Sequence, residues 1–196
     1  LAGGGGIPAT QEYLQGIQEM AKTNNSLFIL DEIVTGFRFR YGCLYPTMKL
    51  DPDIITLGKI AGGGFPIGVI CGKDEIMEHA NTSTNSKKNR TYIGGGTFSA
   101  NPLTMMAGET TLGILKNTKN TLYKKLDDLG NKTTKMLEKI FSDDAIVTGK
   151  GSLFMTHFPR NGITEINNAA DVAKCDSTKL FNYHFEMIAK NGIFFL

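Results

Sequence analysis

The chain has 196 residues, of which 41% are apolar and 20% are charged, a composition typical of a folded globular protein. Its 21 basic and 19 acidic side chains leave a net charge of +2, which argues against binding to nucleic acid or to an anionic membrane. The sequence has neither an apolar run of the roughly 20 residues that span a membrane nor a leader peptide, so we expect a cytoplasmic protein.

The first elements predict a sheet covered by helices. Residues 10–23 predict a helix that Thr10 caps, and polar residues then lead into a strand over 27–30. Two more short apolar runs predict strands over 53–57 and 67–71, which a glycine-rich segment connects. A helix followed by a continuous apolar strand is typical of a parallel sheet with both faces covered. We therefore predict that the three strands are neighbours in one sheet.

A polar segment and a long helical region follow. Residues 81–90 lack large apolar side chains and predict a mobile surface loop. Asn101 and Pro102 are typical of a helix start, and the helical pattern continues to about residue 115. A second amphipathic run over 122–140 carries a lysine-rich face, which we expect to be solvated.

The last elements predict a smaller unit that mixes strands and helices. Residues 152–158 predict a strand, and residues 177–190 predict a helix that Ser177 caps, with Gly192 beyond its end. We place the boundary between the two parts near residue 115. Five side chains of the last helix are expected to face inward: Leu180, Phe181, His184, Phe185 and Ile188.

Two side chains of opposite charge lie where predicted strands end. Asp31 follows the first strand, and Lys59 follows the second and precedes a run of glycines. Ligands of open α/β sheets bind beyond the carboxyl ends of the strands. Lys59 could bind a phosphate as in a P-loop, form an imine with a carbonyl group, or simply lie on a turn. The P-loop motif fails, because Ile60 stands where that motif requires Ser or Thr.

The imine alternative gains support from two other segments. Pyridoxal phosphate requires an acid opposite its pyridine nitrogen, and Asp31 is suitably placed. Its phosphate requires donors, and the segment "GGGTFS" at 94–99 supplies backbone amides and the Thr97 hydroxyl. Lys59, Asp31 and Thr97 therefore suit one cofactor, pyridoxal 5′-phosphate.

Three stretches of the sequence together match a known family. They are "LFILDEIVTGFR" at 27–38, "DPDIITLGKIAGGGFPIGVICGKDEIM" at 51–77 and "GTFSANPLTMMAG" at 96–108. In this order they resemble the class III, fold-type I pyridoxal-phosphate-dependent aminotransferases. The ending "TGFR" at 35–38 matches the aminomutase subgroup of that family, which makes 5-aminolevulinate from glutamate 1-semialdehyde for tetrapyrrole synthesis.

The resemblance implies roles for individual residues. Lys59 would hold the cofactor covalently and then move protons between cofactor and substrate, while Asp31 would pair with the pyridine nitrogen. Ile33 would pack on the ring face, and Thr97 would reach the cofactor phosphate of the other subunit in a homodimer. Glu32 would be structural.

The resemblance also implies a fold and its extent. The fold is α/β, with a mainly parallel sheet and flanking helices. Residues 1–115 would form the second half of the cofactor-binding large domain, and residues 116–196 part of a smaller α+β C-terminal domain. The family's phosphate-binding loop and ring-stacking aromatic residue belong to an amino-terminal half that this sequence does not contain. We therefore expect a fragment whose site is incomplete and inactive by itself.

Two other functions stay open. The same residues would serve a general ω- or β-amino acid aminotransferase, which acts on small amino and keto or aldehyde substrates. The chain could also be a non-catalytic fragment or a dimerisation module. A degenerate copy would be free to lose Lys59, Asp31 or Thr97, so the presence of all three favours an active parent protein.

The remaining reactive side chains predict structural roles. Arg38 is expected to form a structural salt bridge, with a substrate carboxylate as the alternative partner, and Met105 and Met106 are expected in the helix core. Three scattered histidines lack ligand spacing, so no metal site is expected: His79, His157 and His184. Three cysteines are expected as free, mostly buried thiols: Cys43, Cys71 and Cys175.

Overall fold

The computed structural model describes residues 2–81, 83, 91, 96–160 and 162–194. The chain divides into two compact units. The sheet unit comprises Thr10–Tyr123, and the hairpin unit comprises Leu1–Ala9 and Lys124–Leu196. Most of the predicted loop at 81–90 lies outside the described residues. The predicted domain boundary near residue 115 stays a prediction.

The sheet unit begins as the sequence predicts. Helix α1 spans Gln11–Thr23, and the Thr10 hydroxyl oxygen caps it by accepting a hydrogen bond from the Tyr13 amide at 3.2 Å. Three strands follow, each ending one residue later than predicted: β1 at Ile29–Asp31, β2 at Ile54–Gly58 and β3 at Gly68–Gly72. A short helix, α2, spans Asp74–Met77.

The three strands form one sheet in the order β1, β2, β3, which confirms the α/β fold class and the predicted neighbours. Strands β1 and β2 are parallel, with Asp31 paired to Thr56. Strands β2 and β3 are antiparallel, which corrects the expectation of parallel pairing at this position. The connection over residues 59–67 is too short for the crossover of about a dozen residues that a parallel pair requires.

Asp53 forms hydrogen bonds with the residue before β1 and with the residue after β3. Its Oδ2 atom accepts the Phe28 amide hydrogen at 2.8 Å, and its Oδ1 atom accepts a hydrogen bond from Lys73 Nζ at 2.9 Å. Lys73 also forms an ion pair with Asp51 at 3.1 Å. The Phe28 amide and then Lys73 lower the pKa of Asp53, because both favour the charged carboxylate.

Helix α3 spans Pro102–Phe141 and contains 40 residues. The predicted start is confirmed, since the Asn101 side-chain oxygen accepts hydrogen bonds from the amides of Leu103 and Thr104 at 3.0 and 3.2 Å. The two predicted amphipathic runs are one continuous helix, because no proline separates them. Met105 and Met106 are 43% and 66% exposed, so their expected place in the core is wrong.

Among its described residues, the hairpin unit contains two antiparallel strands, the last part of α3 and two further α-helices. Strand β4 at Ile146–Lys150, which the sequence analysis missed, pairs with β5 at Leu153–His157, which it predicted. Helices α4 and α5 span Ala169–Ala173 and Ser177–Asn191. Gly192 follows α5 in a left-handed conformation, as predicted.

Helix α5 departs from prediction in its cap and in its buried face. Asp176 rather than Ser177 caps the helix, since its Oδ1 atom accepts the Lys179 amide hydrogen at 2.9 Å. Tyr183 packs edge-on against Phe141 and Phe158, with ring centroids 5.5 and 5.6 Å apart. The side of α5 that is packed is therefore the one that carries Tyr183, which differs from the predicted side. Three side chains predicted to be inward are exposed: Phe181, Phe185 and Ile188.

The cysteines are free in the described part of the chain, but the expected burial is wrong. Cys71 is exposed, and Cys43 and Cys175 are only partly buried. Burial raises the pKa of the Cys43 thiol, and the neighbouring Glu32 carboxylate raises it further. In the same part of the chain, no helix combines the length and the apolar character that a membrane crossing requires.

Candidate active site

Asp31 and Lys59 lie at the same edge of the sheet. Asp31 is the last residue of β1, and Lys59 directly follows β2. Because these two strands are parallel neighbours, their carboxyl ends meet at one edge. The structure therefore brings together the acid and the amine that the sequence analysis selected.

The two oxygens of the Asp31 carboxylate have different surroundings. Oδ1 accepts the Ile33 amide hydrogen at 2.9 Å and the Thr56 hydroxyl hydrogen at 3.3 Å. Within the described residues nothing donates to Oδ2, and the residue is exposed. One oxygen is thus held in place while the other is open to an external cation or N–H group.

Lys59 begins a 3-10 helix, Lys59–Gly62, in an unusual backbone conformation. Its φ angle is +47°, in the left-handed region that residues with a Cβ atom rarely adopt. The side chain is exposed, and its amine forms no hydrogen bond or ion pair among the described residues. A lysine held at a strained turn without a partner is available to react with a ligand.

Helix α3 fixes the turn that contains Lys59. A Cβ atom on Gly63 would collide with the carbonyl of Ala107, and a Cβ atom on Gly108 would lie 2.5 Å from the Ala61 carbonyl oxygen. Glycine is required at both positions because the two backbones approach so closely. The Lys59 turn therefore rests directly on the helix backbone.

Ile33 lies beside the residue that precedes Lys59. A Cβ atom on Gly58 would be 3.2 Å from both Ile33 Cγ2 and the Ile67 carbonyl oxygen, so the Ile33 side chain covers Gly58 closely. The arrangement places an apolar side chain against Gly58, the residue that precedes Lys59. Such a surface suits the face of an aromatic ring.

Glu32 is 2% exposed and holds the loop that follows β1. Its carboxylate accepts hydrogen bonds from the amides of Leu44 and Tyr45, both at 2.7 Å, and from the Thr35 hydroxyl at 3.0 Å. These contacts fit the structural role that the family resemblance implied. Consecutive acids thus have separate roles, since Glu32 faces the protein and Asp31 faces solvent.

Arg38 lies in this same loop and departs from prediction. Its Nε atom is buried without a hydrogen-bond partner, and no ion pair involves it within the part of the chain that the structure describes. The expected structural salt bridge is therefore not found among the described residues.

Thr97 lies in an exposed turn over residues 96–100, just before helix α3. The Ser99 amide donates to the Gly96 carbonyl oxygen at 2.9 Å and closes this turn. No hydrogen bond joins Thr97 to Asp31 or Lys59 in the described part of the chain. Gly94 and Gly95, the other predicted phosphate donors, lie outside the described residues.

The residues at the strand ends fit pyridoxal phosphate. An open carboxylate oxygen suits a protonated pyridine nitrogen, an unpartnered amine suits an aldehyde, and Ile33 suits the ring. Sequence reasoning missed Thr56, whose contact with Asp31 depends on strand register. It also missed Gly108, although a glycine inside a helical pattern is a signal of close packing.

Comparisons with known proteins identify the family of the chain. The family model "Aminotransferase class-III" matches residues 1–185. Glutamate-1-semialdehyde 2,1-aminomutase of Methanothermobacter thermautotrophicus is 34% identical over 193 residues, covering 97% of this chain and 43% of the relative. The chain therefore spans less than half the length of this curated relative.

Two solved structures share the fold. A β-phenylalanine aminotransferase from Variovorax paradoxus matches with a TM-score of 0.80 and 26% identity, over 95% of this chain and 42% of that one. An ω-transaminase from Sphaerobacter thermophilus matches with a TM-score of 0.78 and 30% identity, over 97% of this chain and 42% of that one. The fold is thus that of the fold-type I aminotransferases.

Proposed function

The chain belongs to the class III aminotransferase family, whose members depend on pyridoxal 5′-phosphate, and we propose that it is part of a longer enzyme, the parent enzyme. The observation that carries this proposal is that Asp31 and Lys59 lie at the ends of adjacent strands. Asp31 has an open carboxylate oxygen there, and the Lys59 amine has no hydrogen bond or ion pair among the described residues. The length of the curated relatives supports a longer parent, of which this chain would cover about 43%.

The parent enzyme converts glutamate 1-semialdehyde to 5-aminolevulinate, as an aminomutase of tetrapyrrole synthesis in the cytoplasm. The name and 34% identity of the archaeal relative support this substrate. Bound pyridoxal phosphate supplies an electron sink for the carbon next to the substrate nitrogen. In the parent enzyme, Lys59 Nζ would hold the cofactor covalently through its aldehyde carbon, with loss of water, and would carry protons during turnover.

The other residues bind and orient. Asp31 Oδ2 would accept a hydrogen bond from the protonated ring nitrogen, and Ile33 would pack against the ring. Thr97 would donate its hydroxyl hydrogen to a phosphate held by the partner protomer, a role that requires the parent enzyme to be a homodimer. The exposure of Thr97 supports this role, because its hydroxyl forms no hydrogen bond with another described side chain.

A general ω- or β-amino acid aminotransferase is the second candidate. The two solved structures that share the fold favour it, since both are named as enzymes of that kind. The two candidates differ in their need for an acceptor, because an aminotransferase requires a keto acid and an aminomutase does not. The 196-residue chain alone is expected to be inactive under either candidate.

The cofactor assignment is tested by reductive trapping. The chain and the parent enzyme are mixed with pyridoxal phosphate and reduced with borohydride, and the labelled peptide is located by mass spectrometry. In the parent enzyme we expect the label on Lys59 and its loss in Lys59→Arg. Lys49→Arg is the matched control, since Lys49 is also exposed and also has a left-handed φ, of +54°. Absence of label in the parent enzyme would overturn the assignment.

The substrate assignment needs a separate assay. The parent enzyme is incubated with glutamate 1-semialdehyde without any keto acid, and 5-aminolevulinate is quantified. Formation of 5-aminolevulinate supports the aminomutase. An amino acid formed from an added keto acid, without 5-aminolevulinate, identifies an aminotransferase instead.

A further inference from the structure

Thr56 contacts the acid of the candidate site from the neighbouring strand. It pairs with Asp31 in the β1 to β2 register, so the two side chains lie on the same face of the sheet. The Thr56 hydroxyl donates to Asp31 Oδ1 at 3.3 Å. The Ile33 amide donates to the same oxygen at 2.9 Å.

The two hydrogen-bond donors on Oδ1 determine the orientation of the Asp31 carboxylate about its Cβ–Cγ bond. A single donor leaves a carboxylate free to rotate about its Cβ–Cγ bond, and such terminal torsions have broad preferences. The second donor, on a different strand, restricts that rotation. Thr56 suits this task, because a β-branched side chain in a strand has a stiff χ1 angle. Oδ2 is consequently left as the open oxygen.

We propose that Thr56 is a positioning residue, which holds Asp31 Oδ1 so that Oδ2 stays directed to the ring nitrogen of pyridoxal phosphate. This inference rests on the proposed function, since it concerns the same site. It assigns to Thr56 no contact with cofactor or substrate. Its effect passes through Asp31 alone.

A purely structural role makes a different prediction. If Thr56 only stabilised the β1 to β2 pair, its loss would weaken the binding of every ligand of the site equally. If Thr56 positions Asp31, its loss weakens only binding that uses the ring nitrogen. The suitable probe pair is pyridoxal phosphate and its 1-deaza analogue, which has a C–H group in place of the ring nitrogen.

The experiment measures the affinity of the parent enzyme for both probes. The wild-type enzyme is expected to prefer pyridoxal phosphate, and Asp31→Asn is expected to lose most of that preference. Thr56→Val is expected to reduce the preference by about threefold to tenfold, the effect of one hydrogen bond of ordinary net strength. Thr56→Ser retains the hydroxyl and is expected to keep the preference. In the Asp31→Asn background, Thr56→Val should change nothing further.

The outcomes separate this inference from the proposed function. An unchanged preference in Thr56→Val, with a preference present in the wild type, overturns the role of Thr56 and leaves the proposed function intact. No preference in the wild type overturns both, because Asp31 would not serve the ring nitrogen. If Thr56→Val unfolds in a thermal melt, Thr56→Ala is the second variant without a hydroxyl, with the same expected loss.

Discussion

Gly108 of helix α3 lies against the main-chain carbonyl of Ala61, in the turn that begins with Lys59. A Cβ atom at Gly108 would be 2.5 Å from that oxygen, which cannot move aside like a flexible side chain. We therefore expect Gly108→Ala to lower the free energy of unfolding by about 1–3 kcal/mol. The midpoint of urea denaturation measures this change.

Gly113 of the same helix provides the control. A Cβ atom there would meet nothing within 4 Å. Gly113→Ala is expected to stabilise the chain by up to about 1 kcal/mol, because alanine is the better helix former. Equal effects of the two substitutions would contradict the close approach at Ala61.

Glu32→Ala tests the loop after β1. The substitution leaves the partly buried amides of Leu44 and Tyr45 and the Thr35 hydroxyl without their acceptor. Since each unsatisfied buried donor costs about 1–3 kcal/mol, we expect a loss of at least about 3 kcal/mol. Thermal unfolding monitored by circular dichroism measures it. Glu19→Ala in the exposed part of α1 is the control, and a loss as small as the control's would contradict the contacts.

Asp53 makes the free energy of unfolding depend on pH in the acidic range. Its pKa is lowered in the folded chain, chiefly by the Phe28 amide and then by Lys73. The stabilisation is therefore fully present above the unfolded pKa of about 3.9 and is lost as the pH falls through the folded pKa. Asp53→Asn is expected to lower stability by about 1–2 kcal/mol near neutral pH and by less in acid. Urea midpoints of the wild type and the variant, measured from neutral pH down to acid, test this expectation. A loss of stability that does not change with pH would contradict the linkage.

His157 makes stability depend on pH in a higher range. It is 2% exposed, and its Nε2 atom lies 3.0 Å from the Gly5 carbonyl oxygen and 2.9 Å from the Thr148 hydroxyl. Burial lowers the pKa of His157, and the Gly5 hydrogen bond partly opposes this. Because the fold favours the neutral ring, stability is present above about pH 6.5 and is lost as the pH falls through the folded pKa.

His157→Gln is expected to remove this part of the pH dependence. Thermal midpoints of the variant should fall less than those of the wild type between about pH 7.5 and pH 5. His79→Gln is the control, because His79 is exposed and takes no part in the Gly5 contact. A fall in His157→Gln as steep as in the wild type would assign the dependence to other groups.

Asp31→Asn tests the candidate active site in the parent enzyme. The amide preserves the size of the side chain but removes the charge opposite the ring nitrogen. We expect turnover to fall by about 100-fold to 1,000-fold, as for the loss of one electrostatic contact to the reacting group. Steady-state kinetics measure this, and a loss below tenfold would contradict the role of Asp31. Asp51→Asn, at an exposed ion pair, is expected to keep turnover near the wild-type value.

The sequence by itself determined the α/β class, the helix cap at Thr10, the cap at Asn101 and the stop at Gly192. These features depend on residues within a few positions of one another, so local propensity specifies them. The candidate acid and amine were also found from sequence, because each directly follows an apolar strand. Their roles stay predictions until the labelling and affinity experiments are done.

Only the tertiary structure decided which groups meet across the chain. It paired β2 with β3 in antiparallel fashion and placed Thr56 against Asp31. It also placed Tyr183, rather than Phe181, in the aromatic cluster. Each of these contacts joins residues that are distant in sequence or selects one face of a helix with two apolar faces. Such choices depend on register and packing, whose energies arise only when the elements meet, and no local pattern contains them.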